Sequence, residues 1–333
     1  MSQQPEELAT AISLNKLEWT HAGLIVGRGP TGSFEAAAVT DPCLSFDTAL
    51  LRWRLFYTGW DDNGKAKAAQ ILSRRPDLIG PGEWDTKEAA PIPLTNPEVL
   101  AGKSWSQPCP IFEPLRSSYE PALINHKYWL LFLAEDNASS AIYAASTPVL
   151  AEAWTVHEPP LYSTSAKGTL ATPLANWFPA RQEVLVYFSL FAYLCTLSWQ
   201  PGSEEPPRQG EVFRPAYGSS DWAYGPLQGL QLLPGQEHRW YGLLNSLERP
   251  GEPELRVTAG FAFTNEEWPT KGWQFVAEPI ERVEAIPLQA RAWGEGEQLG
   301  RTNMLVLPGG GLRLFYQSGP KGNEQIFLKR ARQ

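Results

Sequence analysis

The chain has 333 residues, among them 28 Gly, 30 Pro and 14 Trp but only 2 Met. Proline breaks helices, glycine weakens them and aromatic rings suit pleated surfaces, so this composition excludes a mainly helical protein. Lys plus Arg number 28 against 36 Asp plus Glu, a formal net charge of −8. With its basic residues scattered, the chain is not expected to bind nucleic acid.

Taken in chain order, residues 1–12 read as a short disordered tail, and Met1 to Leu8 is polar and acidic with no signal-peptide pattern. No apolar run reaches the roughly 18 residues of a membrane span, so neither an export signal nor a membrane partner is expected and the location reads as cytoplasmic. Cys43, Cys109 and Cys195 are too few and too scattered for a disulfide framework or a metal site, and read as free thiols. His21, His126, His157 and His238 show no zinc spacing either. Gly27-Arg28-Gly29-Pro30-Thr31-Gly32 matches G-x-G-x-x-G in letters only, because Pro30 intrudes and a strand comes next where a dinucleotide site needs a helix. No cofactor and no metal are predicted.

A repeat organises the rest of the chain. A residue followed by proline and a short apolar strand recurs at Asp41-Pro42-Cys43-Leu44, Glu120-Pro121-Ala122-Leu123, Thr172-Pro173-Leu174-Ala175 and Gly225-Pro226-Leu227-Gln228. A fifth copy without the proline is Arg301-Thr302-Asn303-Met304. Each leads to an aromatic strand, as in Arg52 to Tyr57, Tyr128 to Phe132, Val184 to Phe188, Arg239 to Leu243 and Leu312 to Tyr316. A third strand comes after it in every unit. Trp84, Trp154, Trp199 and Trp273 then mark a fourth strand in the first four units.

The fifth unit ends without its fourth strand, and Leu17-Glu18-Trp19-Thr20-His21 resembles Ala153-Trp154-Thr155-Val156-His157 from the end of unit two. The N-terminal strand is therefore expected to complete the last unit. Closing a ring in this way protects strand edges. The expected fold is all-β: one five-bladed β-propeller domain over residues 1–333, an irregular β-sandwich being the alternative.

In such a ring the first strand of each blade lies innermost, and its first residue opens on one mouth of the central channel. Asp41, Glu120, Thr172, Gly225 and Arg301 are thereby expected around the axis. Trp60, Asp61, Glu135 and Asp136 are expected on neighbouring loops. Converging polar groups in a concave mouth make the default binding site. Trp60 and Trp177 are candidates for stacking against a sugar, and Tyr119 and Tyr224 for flanking the pocket. Inter-blade packing is the alternative for both tryptophans, and a hairpin turn for Asp61.

Val39-Thr40-Asp41-Pro42, the strand ending Phe56-Tyr57-Thr58-Gly59, and Ala145-Ser146 resemble the five-bladed glycoside hydrolases, most nearly family 43 and the arabinanase and invertase-like clans. The resemblance runs from about Trp19 to Phe327. It implies a general base at Asp41 and a second catalytic carboxylate, acid or pKa partner, at Glu120. Thr172 departs from the pattern, standing where the blade-three acid is expected; Glu135 and Asp136 are the other candidate acids. The function implied is a glycoside hydrolase-like enzyme acting on a small glycoside or oligosaccharide. The alternatives are a catalytically degenerate propeller that binds a glycan or a protein partner, and an enzyme running non-glycosidic chemistry on a small metabolite.

Overall fold

The computed structural model describes residues 18–77, 79–115, 119–191, 193–210, 227–235, 238–247, 257–276, 280–282, 299–307, 311–320 and 322–332. The tail expected at 1–12 lies outside them. Among the described residues the regular structure is β, apart from short 3-10 turns at Thr86–Glu88 and Pro97–Leu100, and no helix is long and apolar enough to cross a membrane.

The strands form five antiparallel sheets. From the inner edge outward, blade 1 runs Ala38–Asp47, Arg52–Trp60, Ala66–Leu72 and Ala90–Pro91. Blade 2 runs Ser104–Pro110, Lys127–Glu135, Ser140–Thr147 and Thr155–Val156, and blade 3 runs Leu170–Phe178, Glu183–Leu190, Tyr193–Trp199 and Arg208–Gln209. Blade 4 runs Leu227–Pro234, Trp240–Leu247, Val257–Thr264 and Gln274–Phe275. In blade 5 the order is Leu299–Val306, Leu312–Ser318, Gln325–Arg332 and, outermost, Glu18–Val26. Each inner strand contacts the inner strands of both neighbours, and that of blade 5 meets that of blade 1. The fold is a five-bladed β-propeller.

The period of two along a strand explains the packing. Successive side chains point to opposite faces of a sheet, and both faces of a blade are covered by neighbours, so the strands are apolar throughout. In blade 2, Leu130 and Phe132 pack toward blade 1, while Leu131 and Leu133 pack toward blade 3. In blade 3, Val184, Val186 and Phe188 face blade 2, while Leu185 and Tyr187 face blade 4. Apolar clusters fill all five gaps, including that between blades 5 and 1, where Leu305 and Phe315 meet Leu55, Tyr57 and Trp84. Each such buried side chain contributes about 1.5–3 kcal/mol relative to exposure.

Two strand assignments change. The inner strand of blade 2 is Ser104–Pro110, carrying Gln107-Pro108, and not the Glu120-Pro121 segment. That later segment lies in the connection before Leu123–Ile124, a two-residue strand paired with Lys127 and Tyr128. An X-Pro step before an apolar run is common to both segments, and only the ladder tells them apart. Trp199 ends the third strand of blade 3, and Arg208–Gln209 forms the outer one. Gly225 and Pro226 lie outside the described residues; the blade 4 inner strand starts at Leu227.

Candidate functional site

Every inner strand carries a bulge near its start. The register jumps between Thr40 and Cys43, Ser106 and Cys109, Ala171 and Leu174, Gln228 and Gln231, and Leu299 and Thr302. The leading bulge residues Asp41, Gln107, Thr172 and Gly229 have φ of 58°, 56°, 48° and 63°. A left-handed backbone suits glycine but costs other residues on the order of 1–3 kcal/mol, and such strain persists where surrounding structure holds it.

A relay of hydrogen bonds holds it here. A bulge frees a backbone N–H from its ladder, and a neighbouring blade supplies the acceptor. Asp41 N–H donates to Gln317 Oε1 (2.9 Å), Gln107 N–H to Thr58 Oγ1 (2.7 Å), and Thr302 N–H to Asn245 Oδ1 (3.1 Å). Thr58 and Asn245 sit on second strands, opposite Thr40 and Gln228. In blade 2 the matching position is the apolar Leu133, and Gln107 itself reaches on to accept from Thr172 N–H. Gln107 and Thr172 therefore have ring-closing work, Thr172 also bonding Ser189 Oγ (3.2 Å).

Asp41 is the carboxylate of this ring. It is 6% exposed, and its Oδ2 accepts from Thr40 Oγ1 (2.7 Å). Thr40 Oγ1 accepts in turn from Trp60 Nε1 (3.0 Å), so the half-buried Trp60 is one hydroxyl from the carboxylate. The structure thus brings Asp41 and Trp60 together at the mouth.

The other mouth-loop acids have turns to hold. Asp61 Oδ1 accepts from Asn63 N–H and Lys65 N–H, closing its hairpin. Asp136 accepts from Ala138 N–H, Ser139 N–H and the Ser139 hydroxyl, which hold its carboxyl below the usual range. That is the wrong direction for a proton donor. Glu135 accepts from Ser140 Oγ and Gly168 N–H, tying down the connection to blade 3.

Glu120, Tyr119 and Trp177 are not at this mouth. Glu120 Oε1 accepts from Thr48 Oγ1 (2.7 Å), and Tyr119 O accepts from Phe46 N–H (2.9 Å). Both partners lie at or beyond the far end of the strand that begins near Asp41. The rise per residue puts Asp47 about 20 Å from Asp41, so Glu120 cannot pair with it. Trp177, opposite Val184 beside the far hairpin turn of blade 3, is 8% exposed and packed between blades. Tyr224 lies outside the described residues.

Arg301 is 4% exposed. It stands beside Cys43 and Cys109, whose sulfurs are 3.9 Å apart. The Cys43 S–H bond to Cys109 holds the Cys109 thiol below its ordinary value, aided by the Arg301 charge, and holds Cys43 up. All three cysteines are free and buried. Among the described residues no cluster of three or more His, Cys, Asp or Glu side chains is arranged for a metal ion.

One residue went unnoticed in the sequence. Glu35, in the loop that enters blade 1, accepts from the Tyr57 hydroxyl (2.8 Å), and burial pushes its carboxyl above the usual range. Tyr57 stands on the second strand across from the Asp41 bulge. The loop holding Glu35 runs on from the G-x-G-x-x-G stretch and is closed by Gly29 N–H to Glu35 O (3.0 Å), with no helix behind it.

No family model and no curated protein sequence matches the chain. Solved structures do match it in shape. A putative glycoside hydrolase from Parabacteroides distasonis superposes with TM-score 0.65 at 13% identity, over 98% of this chain and 99% of that one. The catalytic domain of a GH62 α-L-arabinofuranosidase from Coprinopsis cinerea gives 0.64 at 11%, over 95% and 98%. A fructofuranosidase from Schwanniomyces occidentalis gives 0.59 at 14%, with 92% of this chain covering 58% of that one. The likeness is one of fold. It is the five-bladed propeller of glycoside hydrolases, extending over almost the whole chain.

Proposed function

We propose that the protein is a glycoside hydrolase-like enzyme acting on a small glycoside or oligosaccharide at the mouth around Asp41. The observation that carries this reading is Asp41 itself, a buried carboxylate held on a strained bulge at the channel mouth, with the Trp60 indole one hydroxyl away. In this reading Asp41 is the general base that activates water, Thr40 orients it, and Trp60 offers an aromatic face to the sugar. The general acid is Glu35 and not Glu120. Partial burial raises the pKa of the Glu35 carboxyl, the direction that donation to a leaving oxygen requires. The likeness to propellers solved with cellotriose and xylotriose supports a carbohydrate ligand.

One observation favours a second reading, a propeller that binds a glycan without cleaving it. Blades 2 and 3 open on Gln107 and Thr172, so the described bulge positions hold a single carboxylate. Hydrolysis of a panel of aryl glycosides separates the two. Activated nitrophenyl leaving groups need little protonation, so Asp41→Asn is expected to abolish turnover on them while Glu35→Gln spares it. On poor leaving groups both substitutions are expected to be severe. An unchanged rate in Asp41→Asn removes it from the mechanism, and silence of folded protein across the panel favours the binding reading.

A further inference from the structure

A cavity lies at the other end of the molecule. It has a volume of about 760 Å³ and lies between blades 5 and 1, at the ends of strands pointing away from Asp41. That volume is ordinary for a small-molecule site. Three kinds of wall meet in it.

One wall is aromatic. Trp53 packs against Phe46 with ring centroids 5.2 Å apart and against Tyr119 at 6.1 Å, all three rings half-buried. Trp53 Nε1–H is fixed on Pro76 O (3.0 Å) and Tyr119 Oη accepts from Val306 N–H (2.6 Å), so the platform is held in place. The second wall is cationic. Arg313 and Arg330 are direct partners in the ladder of blade 5, and both line the cavity. Among the described residues neither has a carboxylate within ion-pair distance, although the chain carries 36 Asp plus Glu against 28 Lys plus Arg. Burial and the neighbouring Arg330 charge both lower the Arg313 pKa, as expected for two like charges lacking a counter-ion. The third wall is acidic: Asp77 and Glu83 lie on the loop after the third strand of blade 1, and Glu83 Oε2 accepts from Gly80 N–H (3.3 Å).

We propose that this cavity is a second ligand site, distinct from the mouth, for a hydroxylated ring bearing one anionic group: a sugar phosphate or a uronate. The ring's C–H face lies on Trp53 and Tyr119. Its anion lies between Arg313 and Arg330, whose forked donors suit phosphate and carboxylate alike. Its hydroxyls donate to Asp77 and Glu83, the carboxylates that line the same cavity.

The test is titration calorimetry on the intact protein with D-glucose 6-phosphate, D-glucuronate, D-glucose and inorganic phosphate. At least one acidic sugar is expected to bind in the millimolar range or tighter, and to bind at least tenfold more tightly than glucose or phosphate alone. Which of the two does so identifies the source of the anion. Arg330→Ala, on an exposed side chain, and Arg313→Gln are each expected to weaken binding at least tenfold with unchanged circular dichroism. Asp41→Asn should leave it untouched. Silence of both acidic sugars, undiminished binding in both arginine variants, loss of binding in Asp41→Asn, or phosphate binding as tightly as the sugar phosphate would each overturn the proposal. Failure of the glycosidase reading leaves this test unaffected, since its readout is binding and its variants lie at the opposite face.

Discussion

Asp41 and Asp47 are buried carboxylates on one strand, 6% and 2% exposed, and they lead opposite lives. Asp47 is engaged on both oxygens: its Oδ2 meets Arg54 Nη2 at 2.6 Å, and its Oδ1 accepts from Ala49 N–H and Leu50 N–H. Arg54 is itself 2% exposed and also donates to Gln70 Oε1 (2.8 Å). Asp41 has one hydroxyl, that of Thr40, and no ion-pair partner among the described residues. A carboxylate held on both oxygens by an ion pair and backbone donors holds structure together. One left with free lone pairs at a channel mouth is available to water or substrate. The same strand thus carries a fully engaged acid at one end and, at the other, the one proposed for chemistry.

Exchanging each acid for its amide breaks that comparison in opposite ways. Asp41→Asn is expected to lower turnover on activated glycosides by about 10²–10⁴-fold, the usual worth of a general base. Its unfolding free energy in urea should stay close to that of the unaltered protein. Asp47→Asn is expected to do the reverse: removing one partner leaves the Arg54 charge buried and unpaired, at about 3–5 kcal/mol. Turnover per folded molecule should persist. Replacing both residues of the pair, as in Asp47→Leu with Arg54→Met, should recover most of that loss, because burying no charge avoids the desolvation penalty. A double variant as unstable as Asp47→Asn would show that the backbone bonds to Ala49 and Leu50 matter more than the ion pair.

Glu120→Gln sharpens the same comparison at smaller scale. Glu120 bonds Thr48 in an exposed setting just past Asp47. The loss is expected to be at most about 1 kcal/mol, with turnover unchanged. A fall in kcat of tenfold or more would return Glu120 to the catalytic apparatus.

The blades were legible because their signal is local. Apolar and aromatic strands of period two, punctuated by glycine, proline and polar turns, recur along the chain whatever they pack against. The strand positions of Asp41 and Trp60 were legible for the same reason, as the repeat defines both strands. Glu120 was misread because Glu120-Pro121-Ala122-Leu123 and Gln107-Pro108-Cys109-Pro110 carry the same X-Pro step, and the deciding feature is the ladder between Ser104–Pro110 and Lys127–Glu135. Glu35 was invisible because the burial that raises its pKa comes from a folded loop packed on its neighbours, among them Tyr57, 22 residues away. Trp177 and Arg301 show a further limit: a strand pattern gives the residue's register, but which end of the blade it occupies, and how far its side chain is buried, depends on the closed ring.

The smallest effect is expected on the outer part of blade 2, where a charge change is coupled to packing without any role at the mouth. His157 stacks on Trp129 with centroids 4.8 Å apart at 29°, and its Nε2 bonds Ser146 Oγ at 2.8 Å. Burial, and secondarily the charge of Lys127, lower its pKa below the ordinary value. The unfolded chain then binds the proton more readily than the folded one, so protonation favours unfolding. The stability that neutral His157 contributes is present above the unfolded value of about 6.5 and is lost as pH falls through the lowered folded one. His21, also lowered, by burial first and then by Lys329, adds a slope of the same sign. His157→Gln should therefore reduce, without abolishing, the loss of stability between about pH 7.5 and 5.5 measured by urea unfolding, while turnover at the upper end of that range stays that of the unaltered protein. Identical slopes in the two proteins would mean that His157 keeps an ordinary pKa, its ring wetted despite the Trp129 stack.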